Sequence, residues 1–223
     1  MTHAKMRELM YLHSSEIERQ VGCQALIECP YGDSTERADY RLWKEMSFVS
    51  AYYAFLSTQR RLPSQQEYVK CFFEGNQGSV ARSPNDIRQS MRCRAQRNYR
   101  IFVCEHHLFS LCIESQYFQL AYKSEELDLE GTVDLVLRLR NCDMEVGIAL
   151  KTRGRASEKW DILKERRREV RDKAHGLLWE GPIIPHHRDT RRMRNVNNLH
   201  LFREDETGTL AGLIRKEALF NES

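Results

Sequence analysis

Asp134 and Lys151 are the residues of this 223-residue chain whose types and placement most directly ask for chemistry. Each belongs to a run of alternating character, "GTVDLVLRLR" from Gly131 to Arg140 and "MEVGIALK" from Met144 to Lys151. In the first run Val133, Leu135, Leu137 and Leu139 share one face, and Thr132, Asp134, Val136, Arg138 and Arg140 share the other. In the second, Val146, Ile148 and Leu150 oppose Glu145, Gly147, Ala149 and Lys151. A period of two belongs to strands. Each strand is therefore expected to bury one side and turn the other toward something polar.

The short link between the runs predicts an antiparallel hairpin, in which directly opposed residues point to the same face. With a two-residue turn at Asn141 and Cys142, Asp134 falls opposite Ala149; with a four-residue loop it falls opposite Lys151. A slip of one residue instead sends Asp134 to the far face. In either of the first two registers Asp134, Ala149 and Lys151 share one patch. A carboxylate there can hold Mg2+ or Mn2+ through hard oxygen donors. An ammonium beside it can orient an attacking water or offset charge on a phosphate, which is the equipment of metal-assisted phosphodiester hydrolysis. One carboxylate rarely holds such an ion alone, and a second would sit naturally at position 149.

"LEGTVDLVL" followed by "GIALKT" resembles the PD-(D/E)XK nuclease superfamily, in particular its RecB-type pattern of Gly, an apolar residue and Asp leading to a strand that ends in Glu-x-Lys-Thr. The resemblance implies that Asp134 is the motif aspartate, Lys151 the motif lysine, and Ala149 the occupant of the motif glutamate position. It also implies a restriction-endonuclease-like fold, a central mixed sheet flanked by helices in α-β-β-β-α-β order, over about residues 36 to 205. Mg2+ or Mn2+ would be the cofactor, and DNA or RNA the partner. An upstream helix often adds an acidic ligand, for which Glu45 is the first choice and Glu67 the second. The Gln-x-x-x-Tyr helix motif of some RecB-type enzymes has no match.

Three explanations account for Ala149. An engineered change from glutamate would be reversed in "GIELKT"; a lineage can lose activity and keep binding; or the missing carboxylate comes from elsewhere, for instance Glu130. The plain alternative to all three is an exposed Asp–Lys pair on a sheet, contributing ~0–1 kcal/mol.

Basic residues cluster downstream. From Lys151 to Arg194 there are fourteen Lys or Arg against seven Asp or Glu, while the whole chain carries only +3. This asymmetry suits a polyanion, and a solvated helix face is the bland alternative. Arg153, Arg155 and Lys159 follow the motif lysine. Arg188, Arg191, Arg192 and Arg194 fall in "RDTRRMR", expected to be a basic loop on a nucleic-acid backbone, where contacts fix position without reading sequence.

The elements that must position these groups follow from periodicity. Leu42, Met46, Val49, Tyr53 and Leu56 lie on one helix face. "SQQE" at Ser64 to Glu67 is a capping box opening a helix through Phe73. Ser83 and Pro84 start another helix toward Arg94, with "GNQGS" (75–79) as the loop between. From about Asn98, "YRIFVC", "LFSLCI" and "FQLAY" read as strands. Ser157 caps a helix with Trp160, Leu163 and Val170 on its seam, "GPIIPHH" breaks it, "NNLHLF" is a strand, and "TLAGLIRKEALF" a final helix after a turn at Gly208. The fold class is mixed α/β with α+β character. Residues 1–98 form a helical region packing on the sheet, and 99–223 a nuclease-like core.

A hydrophobic content of 41% with 30% charged residues is ordinary for a globular chain. Seven cysteines without a CxxC pair suggest reduced thiols and an intracellular setting, cytoplasm or nucleus. Cys104, His106, His107 and Cys112 are the nearest approach to a zinc set, although "VCEHHLFSLC" also reads as two short strands and their turn. No apolar run approaches the ~20 residues of a membrane span. The expected function is a divalent-metal-dependent nuclease domain, impaired by Ala149, with a non-catalytic nucleic-acid-binding or assembly module as the alternative.

Overall fold

The computed structural model describes residues 10–29, 47–130, 133–152 and 179–221. Among them, residues 15–104 with 195–199 form one compact unit, and residues 10–14, 105–194 and 200–221 another.

The first unit is helical. It contains α1 (Ser14–Gly22), α2 (Phe48–Gln59), α3 (Gln65–Gly75), α4 (Gln77–Arg82) and the first two-thirds of α5 (Asn85–Glu114). Aromatic packing holds it together. The rings of Phe48 and Phe72 stack at 4.2 Å, and buried Tyr68 donates its hydroxyl to the Phe48 carbonyl at 3.0 Å. The capping box at the start of α3 is present on both sides: Glu67 N–H donates to Ser64 Oγ at 3.2 Å, and Ser64 N–H to Glu67 Oε2 at 2.8 Å. Of the predicted apolar stripe on α2, Tyr53 and Leu56 are buried, while Leu42 and Met46 lie outside the described residues.

Two expectations fail here. "GNQGS" is not a loop, because only Asn76 separates α3 from α4, and its side chain donates back to the Phe72 carbonyl at 2.8 Å. The helix begun after Pro84 does not stop near Arg94 but runs for 30 residues to Glu114. It absorbs "YRIFVC" and "LFSLCI", which were expected to be strands. Met91, Ala95, Tyr99 and Val103, each four residues from the last, are all fully buried. That helical seam outweighs the strand preference of Tyr, Ile, Phe and Val, since burial routinely overrides local propensity.

The second unit holds the main sheet. Its strands are β1 (Phe118–Tyr122), β2 (Leu135–Leu139), β3 (Glu145–Thr152) and β4 (Ile183–Arg188), with α6 (Glu125–Glu130) between β1 and β2 and α7 (Asp205–Asn221) near the end of the chain. The order across the sheet is β1-β2-β3-β4. The first two pairings are antiparallel and β3/β4 is parallel, so the sheet is mixed. Parallel neighbours need a long crossover between them. The helix predicted from Ser157 falls in that connection and lies outside the described residues.

β2 and β3 pair with Leu135 opposite Ile148 and Val136 opposite Gly147. Extended by one step, this register brings Asp134 level with Ala149, the first of the two registers enumerated above. The ladder itself ends at Leu135. Asp134 N–H instead donates to the Ile148 carbonyl at 2.9 Å.

The expectation of one polar face is overturned. Leu135, Leu137, Val146 and Ile148 are buried on one side, and Val136 and Ala149 on the other. Leu127 of α6 and Val133 join Val136 in a second small core, with Trp179, Ile183 and Tyr122 packed against it. Val133 thus sides with Val136 and not with Leu135.

"GPIIPHH" supplies β4, with Pro185 accommodated on an edge strand, where one missing donor is tolerated. The "RDTRRMR" stretch is not a loop. It passes from the end of β4 through a 3-10 turn (Thr190–Arg192), capped by the Asp189 carboxylate, into β5 (Arg194–Val196). β5 pairs with β6 (Leu199–Leu201), the strand foreseen in "NNLHLF". Their tight turn uses Asn197 and Asn198 at φ 51 and 60, a conformation asparagine tolerates better than most residues. α7 begins at Asp205, so Gly208 lies inside the helix and not in a turn before it. Among the described residues, no helix is long and apolar enough to cross a membrane.

Candidate metal centre

Three acidic side chains meet where α5, α6 and the approach to β2 come together. Glu105, Asp128 and Asp134 each place a carboxylate oxygen within 4.8 Å of the others. Local structure explains each position. Glu105 lies on the sheet-proximal stretch of α5, next to the fully buried His106. Asp128 lies one turn into α6, whose Leu127 N–H is capped by Ser124 Oγ at 3.2 Å. Asp134 sits just where the ladder ends, and its Oδ2 accepts the Leu150 backbone N–H at 2.6 Å. That bond pins the carboxylate to β3 between Ala149 and Lys151 in the chain.

Two cations lie against the acids. Lys123, directly after β1, places Nζ 3.2 Å from Glu105 Oε2 and 3.7 Å from Asp128 Oδ2, with all three side chains largely buried. Arg188, at the end of β4, lies 3.6 Å from Glu105 Oε1. Burial works against the Lys123 charge, yet Glu105, Asp128 and Asp134 together outweigh it and hold the ammonium's pKa above its ordinary value. His106 behaves oppositely. Burial, reinforced by the Lys123 charge, pushes its pKa down to about 3, so the ring is neutral and donates from Nε2 to the Met10 carbonyl at 2.9 Å.

The donor set fits a hard divalent cation. Carboxylate oxygens are the ligands Mg2+ and Mn2+ take, and three of them at this spacing can share one ion. Lys123 is itself a stand-in, a tethered positive charge lodged beside two of the carboxylates such an ion would use.

Of the residues foreseen for chemistry, Asp134 is in the cluster. Lys151 is half-buried on β3 and paired with His187 of β4; Ala149 is buried and paired with Pro185. Glu45 lies outside the described residues, as do Arg153, Arg155 and Lys159. Glu130 closes α6, two residues beyond Asp128. Glu67 is held in the helical unit by its capping box and by Arg61, whose hydrogen bond takes the carboxyl pKa down to about 2. Arg188 turns to Glu105, and Arg191 forms a two-pronged pair with Asp189 at 3.0 and 2.9 Å. Arg192 and Arg194 are exposed. Cys104, His106, His107 and Cys112 are strung along one helix, where neighbours in sequence face different directions.

Glu105, Asp128 and Lys123 were missed. Reading Tyr99 to Ile113 as strands hid the upstream helix that carries Glu105. Asp128 stood in plain view in "SEELDLEGTVD", six residues before Asp134. Comparison with protein-family models, with curated proteins and with solved structures finds no match.

Proposed function

We propose that this chain is a divalent-metal-dependent nuclease-type domain, acting on phosphodiester bonds in DNA or RNA, with Glu105, Asp128 and Asp134 as its metal ligands. The observation that carries this reading is the convergence of three carboxylates at a hairpin whose sequence resembles a nuclease motif. A helix before three antiparallel-linked strands, with a fourth strand parallel to the third, supports the implied fold order, with α6 added between β1 and β2 and the helix expected between β3 and β4 outside the described residues. Position 149 then needs no carboxylate, because Glu105 and Asp128 supply the oxygens a motif glutamate would have brought. When bound, Mg2+ or Mn2+ would polarise the phosphate and lower the pKa of a coordinated water. Asp134 orients the site through Leu150 N–H. Lys151, at the end of β3, is the group assigned to the phosphate or the water. Arg192 and Arg194 offer exposed charge for the nucleic-acid backbone.

The test is cleavage of single- and double-stranded DNA and RNA with Mn2+, using the full chain, Asp134→Asn and Ala149→Glu. Metal-dependent cleavage that falls more than ~100-fold in Asp134→Asn supports the reading, since even indirect partners of a metal are worth ~10–100-fold. Absence of cleavage and of Mn2+ binding in both the natural chain and Ala149→Glu would sink it. The Lys123 ammonium lodged in the cluster favours a second reading, a non-catalytic nucleic-acid-binding module on a nuclease scaffold. That module would bind nucleic acid in a salt-dependent way, with no response to metal.

A further inference from the structure

The cluster has a cation of its own before any metal arrives. Lys123 Nζ lies 3.2 Å from one ligand oxygen and 3.7 Å from a second, and its side chain is 4% exposed. Arg188 adds another positive charge at 3.6 Å from Glu105. With both in place, the three carboxylates are already partly neutralised. A divalent ion entering beside them would add two positive charges to a buried cluster that already holds an ammonium and a guanidinium, which low-dielectric surroundings make costly. Lys123 also presents its charge to Glu105 and Asp128, two of the three carboxylates the ion would need.

We propose that Lys123 and a divalent cation compete for Glu105, Asp128 and Asp134, so that metal binding requires the ammonium to withdraw. This rests on the metal-centre reading above and adds a regulatory element to it. Lys123 suits the part. Its charge sits on a flexible four-carbon stem, unlike the rigid fork of Arg188, and it emerges from the end of β1, where one residue separates it from α6. The ammonium keeps three buried carboxylates together when no ion is present. It also sets a threshold, because only an ion concentration sufficient to displace it loads the site.

The experiment is calorimetric titration of the full chain with Mn2+ alone, comparing the natural protein with Lys123→Met, Lys123→Arg and Asp134→Asn. Lys123→Met is expected to bind about tenfold tighter or more, within the ~5–150-fold range usual for coupled binding events. Lys123→Arg should bind no tighter than the natural chain, and Asp134→Asn should lose binding. Equal or weaker binding by Lys123→Met, beside measurable binding by the natural chain, overturns the competition and leaves the metal centre intact. No binding by either chain overturns both. Should Lys123→Met not fold, amine labelling of the natural chain decides. Saturating Mn2+ is expected to accelerate modification of Lys123, located by mass spectrometry, and an unchanged or slower rate refutes the proposal.

Discussion

Asp134 Oδ2 accepts the backbone N–H of Leu150 at 2.6 Å while the Asp134 N–H donates to the Ile148 carbonyl at 2.9 Å, so side chain and main chain together tie the approach to β2 to β3. The same carboxylate belongs to the acidic cluster, which gives it a structural task separable from a metal-binding one. Asp134→Ala leaves a buried N–H without this partner and should cost about 1–3 kcal/mol in urea unfolding without metal. Asp134→Asn keeps an acceptor oxygen and should retain most of that stability while losing Mn2+ affinity. Equal destabilisation by the two variants would show that the charge, and not the hydrogen bond, holds this end of the sheet.

The hairpin, the capping box of α3 and the existence of a final helix were legible because each is written in short-range pattern: alternation, Ser-x-x-Glu spacing, an apolar period. The long helix α5 was not, since "RIFVC" has the composition of a strand and becomes helical only because Met91, Ala95, Tyr99 and Val103 are buried along one line. That single misreading also concealed Glu105. Asp134 could be picked out because a hairpin register relates it to Ala149, whereas Glu105, Lys123 and Asp128 are joined to it by tertiary packing that no local period records. β4 was obscured by Pro185, whose presence in a strand depends on the strand being at an edge.

His106 and His107 are adjacent, fully buried and held neutral. Burial lowers their pKa values to about 3 and about 4, and the Lys123 charge adds to the effect at His106. In the unfolded chain both titrate near the ordinary 6.5. Folded pKa values below unfolded ones mean that the unfolded state binds more protons in this window. Stability should therefore fall as pH drops from about 6.5 toward 4, by up to about 1.4 kcal/mol per pH unit for each ring. Urea midpoints at pH 7, 6 and 5 would show it. His107→Phe should flatten the slope by one proton's share, and an unchanged slope would place the acid sensitivity elsewhere.

His186 on β4 lies 3.0 Å from Glu206 near the start of α7, with both side chains largely buried. The close contact with His186 is the main reason the Glu206 pKa lies below its ordinary 4.5. A lowered acid pKa contributes stability that is complete above about pH 4.5 and is lost as pH falls through the folded value. Glu206→Gln should cost about 1–3 kcal/mol at neutral pH, the range for losing a charged partner of a buried polar group. It should also remove this part of the acid transition below the histidine window. A variant as stable as the natural chain at pH 7 would show that the pair does not fasten α7 to the sheet edge.

Gly181, just before β4, lies where a side chain has no room. A Cβ there would stand 2.8 Å from Trp179 Cζ2 and 2.9 Å from the Glu145 carbonyl oxygen. The Trp179 ring is engaged too, donating Nε1–H to the Pro182 carbonyl at 3.4 Å, and that carbonyl also accepts Gly147 N–H at 2.9 Å. The turn from Trp179 to Pro182 therefore starts the parallel register of β3 and β4, and backbone bounds it on one side. Gly181→Ala should destabilise by about 1–3 kcal/mol, as overpacking of a filled site does. Gly212 gives the opposite sign. It lies inside α7 with nothing within 4 Å of its Cβ position, so Gly212→Ala should stabilise by about 0.5–1 kcal/mol through helix propensity. Thermal melts of both variants beside the natural chain test the pair, and a neutral Gly181→Ala would mean that Trp179 swings aside without disturbing the start of β4.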